Sequence, residues 1–301
     1  MNLKRDLPNG GVRISITARC NMDCHYCHNE GQLKSLYQDM TLEQFKVVLD
    51  TAVSFGVRRI TITGGEPMMN REFDEMIQYC ATLDLDEIGI CTNGILIKSK
   101  IGVLTTPKIH LAIGIDRVDR EKVSKQSNQG LKFSMIEENL RLLINYGVAF
   151  SLNTVYSVLN QADVLEVCKY CLDNNFHLRI IEQDLYCKVT NDEVSSSFQA
   201  LINLVIGKFG LRHERLSDGK GFIGYNQSGS SIRFYDAYCH NMDCESCANW
   251  TLRIDTKGNS IPCYIRDFQV PLLGVSDPKS NFITAVNNLG IPPDPIPILQ
   301  Q

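Results

Sequence analysis

The sequence predicts a parallel α/β fold, a splayed partial (β/α)6 barrel of the TIM type followed by a smaller C-terminal unit. Six short apolar runs alternate with helical segments between residues 12 and 182, a pattern typical of a parallel sheet covered by helices. Six units are too few for the eight of a closed barrel. The alternation stops after Asp184, and 301 residues of 44% hydrophobic composition suffice for one large domain plus a small one.

The strands and helices of the predicted barrel follow one another along the chain. The first helix has the clearest boundaries, with Thr41 as N-cap, Gln44 three positions later and Gly56 at its end. Because parallel strands end at one edge of the barrel, we expect the chemistry there. The predicted strands are residues 12–17, 58–63, 87–92, 110–115, 148–156 and 177–182, and the predicted helices are 41–55, 71–83, 131–146, 162–174 and 192–209.

Composition also predicts how the chain is divided. The glycines and serines of residues 217–231 indicate a linker or a mobile loop. A β-hairpin is expected around the turn at residues 256–259, and the proline-rich tail from Asp277 onward is expected to lack regular structure. We therefore predict three parts: the barrel over 1–190, a helix and linker over 191–231, and an auxiliary unit with the C-terminal tail over 232–301.

Charge and hydropathy exclude several classes of protein. A net charge of -4 and a pI near 5.9 argue against a dedicated nucleic-acid or anionic-membrane binder. The N-terminus has no apolar signal core, and no apolar run approaches the ~18 residues of a transmembrane helix. We expect a cytoplasmic protein with neither a membrane nor a nucleic-acid partner.

Twelve cysteines in a reducing compartment indicate metal binding rather than disulfides, because seven of them fall in two tight groups. Cys20, Cys24 and Cys27 form the first group, directly after the first strand, and Cys239, Cys244, Cys247 and Cys263 form the second. Three thiolates can bind three irons of a [4Fe-4S] cluster, which leaves one iron open for chemistry. The alternative is a zinc knuckle, which prefers four ligands in two pairs. The five scattered cysteines are predicted to be small buried hydrophobes: Cys80, Cys91, Cys168, Cys171 and Cys187.

A second motif, Gly64-Gly65-Glu66-Pro67, follows the second strand. Two glycines let the backbone approach a ligand closely, the carboxylate can accept a hydrogen bond from an ammonium group, and the proline stiffens the turn. Alone the motif could be an ordinary turn, but at a strand end and about 40 residues after three clustered cysteines it indicates a cofactor site. Tyr26 could shield the cluster and contact an adenine ring, or simply pack the loop.

Together the two motifs resemble those of the radical S-adenosylmethionine (SAM) superfamily. In that superfamily, the amine and carboxylate of SAM chelate the open iron. The reduced cluster then cleaves SAM to a 5′-deoxyadenosyl radical, which abstracts a hydrogen from the substrate. The resemblance implies an oxygen-sensitive iron–sulfur enzyme with a partial barrel. It further implies that Gly64 to Pro67 hold the methionyl amine, and that a flavodoxin or ferredoxin donates electrons.

More of the chain resembles the molybdenum-cofactor GTP cyclase family, from about Val12 to Glu182 and again near Cys244. That family converts GTP to a cyclic pyranopterin and carries a second [4Fe-4S] cluster beside the substrate. The matching sequence segments are RISITARCN (13–21), YCHNEG (26–31), TGGEP (63–67), TNG (92–94), NTV (153–155) and RIIE (179–182). On this basis we predict SAM contacts at Tyr26, Gly65, Gly114, Asn153 and Asp184, and substrate contacts at Arg13, Thr92, Arg179 and Trp250.

Several of these residues have a structural alternative. Thr92 could cap its strand, and Gly114 could be required for packing. Trp250 could anchor the small unit to the barrel instead of stacking on a substrate ring. Arg179, like Arg19, could bind a carboxylate or a monophosphate, or form a salt bridge.

The second cysteine group resembles the auxiliary-cluster, or twitch-type, domain of the same family. Cys244, Cys247 and Cys263 lie on and beside the predicted hairpin. If three thiolates bind a second [4Fe-4S] cluster, one iron remains open for a substrate atom. If Cys239 or Cys187 supplies a fourth thiolate, the cluster is closed and suits electron transfer. A structural zinc site is the alternative.

Several positions that recognise GTP in the cyclase family differ here. Thr61 and Ser151 stand where the family has basic residues, residues 249–251 replace its Arg-x-Arg, and the chain ends in Gln301 rather than Gly-Gly. A triphosphate needs several fixed cations, and each charge-assisted hydrogen bond lost is worth roughly 1.5–3 kcal/mol. The differences therefore disfavour GTP as the substrate.

The sequence thus predicts a radical SAM enzyme that cyclises or oxidises a small-molecule or nucleotide-like substrate other than GTP. One rival is a radical SAM enzyme that crosslinks or epimerises a peptide. A rival from another class is a non-catalytic iron–sulfur electron carrier or a zinc-binding module. That rival explains the cysteines, but neither Gly-Gly-Glu-Pro at a strand end nor six βα units.

Overall fold

The computed structural model describes residues 11–24, 26–27, 30, 38–119, 133–157, 159–183, 191–216, 221–235, 251–262 and 268–289. The strands are β1 Val12–Ser15, β2 Arg59–Thr63, β3 Glu87–Thr92, β4 Ile109–Gly114, β5 Ala149–Tyr156, β6 Leu178–Glu182, β7 Arg212–Arg215, β8 Gly221–Tyr225, β9 Ser231–Tyr235, β10 Leu252–Ile254, β11 Asn259–Ile261 and β12 Val270–Pro271. The helices are α1 Leu42–Ser54, α2 Phe73–Ala81, α3 Ile97–Leu104, α4 Phe133–Asn145, α5 Gln161–Asp173, α6 Asn191–Phe209 and α7 Pro278–Asn287.

The described strands form one sheet in the order β12-β11-β10-β1-β2-β3-β4-β5-β6-β9-β8-β7. Strands β1 to β6 are parallel and adjacent in chain order. Strand β10 adds parallel to β1, and β9 adds parallel to β6. Antiparallel strands complete both ends. This mixed α/β architecture with a parallel core confirms the predicted partial barrel.

The two faces of the parallel strands differ in character, because successive side chains point to opposite sides. One face is apolar and packs under the helices: the ring of Phe234 on β9 lies 6.5 Å from that of Phe198 on α6. The other face lines the barrel and is largely polar. We call the following residues the polar interior face: Arg13, Thr61, Thr63, Cys91, His110, Ser151, Asn153, Arg179 and Arg233.

The predicted barrel strands and helix α1 are present. Each of the six strands is found within two residues of its predicted bounds. Helix α1 has the predicted capping box, in which Gln44 N donates to Thr41 Oγ1 and Thr41 N donates to Gln44 Oε1. Gly56 follows with φ of 85°. Helix α3 was not predicted, because its eight residues include Gly102 and bury only Ile97 and Leu104.

The predicted linker is wrong over residues 221–231, the part of it that the structure describes. The glycines and serines there belong to a β-hairpin, in which β8 pairs with β9 around a turn at residues 226–230. Gly221 has φ of 145°, and a Cβ there would lie 1.9 Å from the Phe234 carbonyl oxygen, so glycine is required for strand contact rather than for flexibility. Ser231 is the first residue of β9, which continues the barrel sheet beside β6.

The C-terminal part agrees with one prediction and contradicts another. Strands β10 and β11 form the predicted hairpin, with Gly258 at φ of 78° in its turn. Residues 278–287 are helical rather than irregular, and the rest of the predicted tail from residue 290 onward lies outside the described residues. Pro278 occupies the first turn of α7, where its missing N–H costs nothing, and Asp277 accepts a hydrogen bond from Ser280 N at 3.0 Å. No described helix is both long and apolar enough to cross a membrane.

Candidate active site

The loop that carries Cys20, Cys24 and Cys27, called the cluster loop below, follows β1 at the carboxyl end of the sheet. Cys20 and Cys27 are exposed, and Cys24 is half-buried. Cys27 N donates to Cys24 O at 3.1 Å, which folds the loop into a turn, and Met22 N donates to Cys20 Sγ at 3.3 Å. Asn93, at the end of β3, donates to Asn21 Oδ1 at 2.6 Å. These bonds fasten the loop over the barrel mouth.

The three thiols suit an iron–sulfur cluster. Burial, followed by the carboxylate of Asp116, raises the pKa of Cys24 to about 12, so its thiolate needs a neighbouring cation such as cluster iron. Among the described residues, no three His, Cys, Asp or Glu side chains are close enough to share one metal ion. A cubic cluster binds each thiolate through a different iron and does not require such convergence. The donor set of Cys20, Cys24 and Cys27 therefore fits a cluster.

Gly64 and Gly65 pack directly against the chain that leads to the cluster loop. Gly65 N donates to Thr17 O and Glu66 N donates to Arg19 O, both at 2.8 Å. A Cβ at Gly64 would lie 2.3 Å from Thr17 O, and one at Gly65 would lie 2.2 Å from Arg19 O. The two glycines were predicted to let the backbone approach a ligand closely. In the structure, the groups that approach them closely are the carbonyls of Thr17 and Arg19. The glycines set the position of the cysteine loop.

Glu66 is buried, with no exposed surface. Its carboxylate accepts hydrogen bonds from Asn93 N at 2.8 Å, Thr92 Oγ1 at 2.9 Å and Met68 N at 3.2 Å. Burial, opposed by these hydrogen bonds, raises its pKa to about 7. Pro67 begins a single 3-10 turn after it. Glu66 therefore ties the ends of β2 and β3 together, and its contact with the methionyl amine stays a prediction.

Thr92 has the structural role that was its alternative. Its hydroxyl is buried, donates to Glu66 and accepts from Gly94 N at 3.0 Å. Asn139 of α4 in turn donates to Gly94 O at 2.7 Å. The Thr92 hydroxyl is thus engaged on both sides, and a substrate contact by Thr92 stays a prediction. Thr92 caps the end of β3.

Tyr26 connects the cluster loop to the end of β4. Its hydroxyl donates a short hydrogen bond to Asp116 Oδ2. Burial, followed by the charge of Asp116, raises the pKa of Tyr26 well above its usual range. Asp116 also accepts from Thr154 Oγ1 and Val155 N, each at 3.3 Å. Sequence reasoning missed Asp116, although its place two residues after Gly114 at a strand end was an available signal.

Arg13 points into the barrel and is paired. Its Nε lies 2.9 Å and its Nη2 2.5 Å from Glu30 Oε1, and Nη2 also donates to Thr63 Oγ1 at 3.2 Å. Its Nη1 donates to Cys91 Sγ at 3.3 Å, so Cys91 is an interior residue and not the fully buried hydrophobe predicted. About a quarter of the Arg13 side chain remains exposed, at 27%. A substrate contact by Arg13 stays a prediction.

Arg19 forms the salt bridge that was its alternative. It is paired with Asp39 and donates to Met69 O at 2.6 Å. Its guanidinium therefore holds the segment before Cys20 to the turn after Glu66, and the structure does not support its use as an anion site.

Gly114, Asn153 and Arg179 lie side by side in register on β4, β5 and β6. Among the described residues, a Cβ at Gly114 would meet only Thr92 O, at 3.8 Å, which leaves space at this position. The Oδ1 atom of Asn153 is buried without a hydrogen-bond partner in the described part of the chain. Arg233 continues this row beside Arg179. Sequence reasoning missed it because residues 232–301 were assigned to the auxiliary unit.

Several predicted residues lie outside the described ones. The hairpin β10–β11 follows Cys244 and Cys247 in the chain and precedes Cys263. Its strand β10 pairs with β1, the strand that leads to the cluster loop. Nothing further is described for Asp184, Cys187, Cys239, Cys244, Cys247, Trp250 and Cys263.

Comparison with known proteins agrees with this geometry. The chain is 28% identical over 300 residues to a GTP 3′,8-cyclase of Alkaliphilus metalliredigens, covering 93% of this chain and 88% of that one. It is 24% identical over 266 residues to a probable GTP 3′,8-cyclase of Methanocaldococcus jannaschii, covering 85% of each chain.

Two solved structures are similar in fold. Streptococcus suis SuiB bound to its precursor peptide SuiA has a TM-score of 0.68 at 15% identity, over 94% of this chain but only 65% of SuiB. The enzyme anSMEcpe with bound AdoMet has a TM-score of 0.65 at 17% identity, over 92% of this chain and 80% of that one. The family profile described as Radical SAM superfamily matches residues 14–176, more than half of the chain. The protein therefore belongs to the radical SAM superfamily, whose enzymes use a [4Fe-4S] cluster and SAM.

Proposed function

We propose that this radical SAM enzyme abstracts hydrogen from a small-molecule or nucleotide-like substrate other than GTP, bound against the polar interior face. One observation carries the proposal. The cluster loop is held at the barrel mouth, at one end of that polar face, by two hydrogen bonds. Tyr26 donates to Asp116, and Asn93 donates to Asn21. A radical generated at the loop would therefore form within reach of a substrate bound inside.

Different residues are assigned to the cluster, to the position of its loop and to SAM. Cys20, Cys24 and Cys27 would hold the cluster, with Gly64, Gly65 and Glu66 fixing the loop's position. When bound, the cluster and SAM would together supply the radical chemistry that removes a hydrogen atom from the substrate. Open space at Gly114 and the unpartnered Asn153 Oδ1 are features that suit SAM at the strand ends. The helices and the apolar face exclude water from behind the sheet.

The same interior suggests a substrate different from that of the relatives named GTP 3′,8-cyclase. Thr61 and Ser151, predicted to replace basic residues, both belong to the polar interior face. Ser151 Oγ lies 3.1 Å from His110 Nε2, and Thr61 is the Cα partner of Arg13. Neutral side chains at these two positions leave a triphosphate with fewer charge-assisted bonds. A peptide substrate has no supporting observation of its own, since the likeness to SuiB and anSMEcpe concerns the fold alone.

We also propose a second [4Fe-4S] cluster, bound by Cys244, Cys247 and Cys263 with Cys239 or Cys187 as the candidate fourth thiolate. The support is the sequence spacing and the pairing of hairpin β10–β11 with β1, which places the hairpin at the edge of the barrel. A one-electron donor of the flavodoxin or ferredoxin type would supply reducing equivalents.

Anaerobic reconstitution with iron and sulfide tests these proposals. We expect about eight irons in the wild type and about four in Cys244→Ala/Cys247→Ala, with reductant-dependent formation of 5′-deoxyadenosine retained. GTP should not increase that formation. The control is Cys168→Ala/Cys171→Ala, which removes two buried helix cysteines and should leave the iron content unchanged. Bound zinc without SAM cleavage would refute the cluster assignments, and conversion of GTP would refute the proposed substrate class.

A further inference from the structure

Two arginines stand side by side on the polar interior face. Arg179 of β6 and Arg233 of β9 are Cα partners in the parallel pairing of these strands. Their side chains therefore leave the sheet on the same face, about 4.8 Å apart at the backbone. Arg179 is half-buried and Arg233 is exposed. Both are open to a ligand inside the barrel.

Neither arginine has a carboxylate partner among the residues that the structure describes. Glu214 of β7, two strands from Arg233, accepts a hydrogen bond from Tyr225 Oη at 3.1 Å instead. Two guanidinium groups at this spacing repel each other, and a bound anion would remove that repulsion. Carboxylate partners are present for other described arginines, namely Arg13, Arg19, Arg58, Arg59 and Arg117.

The groups beside the pair are further potential donors. One layer toward the amino ends of the strands, His177 Nδ1 lies 3.0 Å from Ser231 Oγ. His110 Nε2 lies 3.1 Å from Ser151 Oγ. Burial, followed by the charge of Arg179 and opposed by that of Glu87, lowers the pKa of His110. The two guanidinium groups are thus flanked by polar side chains on this side of the interior.

Arg179 and Arg233 lie near the end of the barrel that carries the cluster loop. Arg179 is in register with Asn153 and Gly114, and Asp116, which binds Tyr26 of the cluster loop, lies two residues beyond Gly114. Two residues along a strand and two strands across place the Arg179 Cα roughly 12 Å from that of Asp116. A substrate anchored at the arginines would extend toward the cluster loop.

We propose that Arg179 and Arg233 together bind a phosphate monoester group of the substrate. This proposal rests on the proposed function and specifies its substrate class. A phosphate monoester carries a charge of about −1.5 to −2 at pH 7 and three acceptor oxygens, which matches two guanidinium groups, whereas a carboxylate carries one charge. Because Thr61 and Ser151 are neutral, the anion site lies at β6 and β9 rather than at β2 and β5.

Binding measurements on the anaerobically reconstituted full chain test the proposal. The probes are inorganic phosphate, the four ribonucleoside 5′-monophosphates, the corresponding nucleosides, and succinate as a dicarboxylate of similar total charge. The variants are Arg179→Gln and Arg233→Gln. Arg141→Gln is the matched control, because its side chain is 70% exposed on α4, outside the barrel. Circular dichroism and iron content establish that each variant is folded and loaded.

We expect at least one monophosphate to bind, with the nucleoside at least about tenfold weaker, and each interior variant to lower the affinity at least about tenfold. Arg141→Gln should bind like the wild type. Absence of phosphate and monophosphate binding, equal binding to all variants, or tighter binding of succinate would each overturn the proposal. Reductant-dependent SAM cleavage in the wild type, measured in parallel, shows whether the proposed function stands when the anion site fails.

Discussion

At the scale of single residues, Glu66 shows how one carboxylate can organise a site from inside the protein. It is buried, and its oxygens accept hydrogen bonds from the ends of two neighbouring elements. Removing an ionised carboxylate from water is costly, and the three donors offset only part of that cost. The result is a pKa raised to about 7.

This raised pKa makes the stability depend on pH in a defined direction. The folded protein holds the Glu66 proton more tightly than the unfolded chain, whose carboxyl has its ordinary pKa near 4.5. The stabilisation is fully present below pH 4.5 and is lost as the pH rises through about 7. We expect the free energy of unfolding to fall by roughly 2 kcal/mol between about pH 5.5 and about pH 8 from this group alone.

The prediction is tested by anaerobic denaturant unfolding of the wild type and Glu66→Gln at both pH values. The glutamine cannot ionise, so its stability should not respond to this titration. The wild type should therefore lose stability relative to Glu66→Gln as the pH rises. Glu43→Gln is the control, because that carboxylate is 81% exposed and should show no such trend. A constant difference between wild type and Glu66→Gln would contradict the proposed titration.

At the scale of elements, the cluster loop takes its position from the strand beside it. The backbone after β1 continues to pair with the turn at Gly64 and Gly65 that follows β2. Gly65 N donates a hydrogen bond to Thr17 O, and Glu66 N donates one to Arg19 O. A side chain on either glycine would collide with those same carbonyls. The two motifs that the sequence places about 40 residues apart thus form one structural unit.

Substitution of either glycine should therefore disturb the cysteine loop. We expect Gly64→Ala and Gly65→Ala each to destabilise the protein by roughly 2 kcal/mol or more, because backbone must move to admit the methyl group. Iron content after reconstitution should fall in parallel. Gly102→Ala in α3 is the matched control: its Cβ would meet nothing within 4 Å. There we expect stabilisation of up to about 1 kcal/mol. Full iron loading and unchanged stability in both turn variants would show that the turn is not coupled to the loop.

At the scale of the whole molecule, the C-terminal strands join the barrel sheet and helix α7 packs against a barrel helix. Strand β10 pairs with β1, and α7 packs on α1 through Phe282 and Phe55, whose stacked rings have centroids 5.2 Å apart. Phe282 is fully buried. A continuous sheet with a shared core predicts that the described elements unfold together.

Phe282→Ala tests this cooperativity. We expect it to lower the free energy of unfolding by about 3–5 kcal/mol and to speed hydrogen exchange in β2 to β4 as well as in β10 and β11. Tyr146→Ala is the control, because that ring is 57% exposed. Faster exchange confined to β10, β11 and α7 would instead reveal an independently unfolding C-terminal unit.

Much of the architecture was determined by the sequence itself. The six barrel strands, the capping box of α1 and the two motifs at strand ends are local patterns, readable within a few residues because hydrogen bonding and side-chain alternation act over that distance. The linker prediction failed at Gly221, where a glycine needed for close strand contact has the same local signature as a flexible one.

Only the tertiary structure decided which side chains meet. Arg13 finds Glu30 across 17 positions, and Tyr26 finds Asp116 across 90. Arg179 gains Arg233 as a neighbour only through the addition of β9 to the edge of the barrel. Such pairings depend on strand order and register, and a one-residue change of register would turn every side chain to the other face. The sequence therefore determined the chemistry available, and the sheet determined its partners.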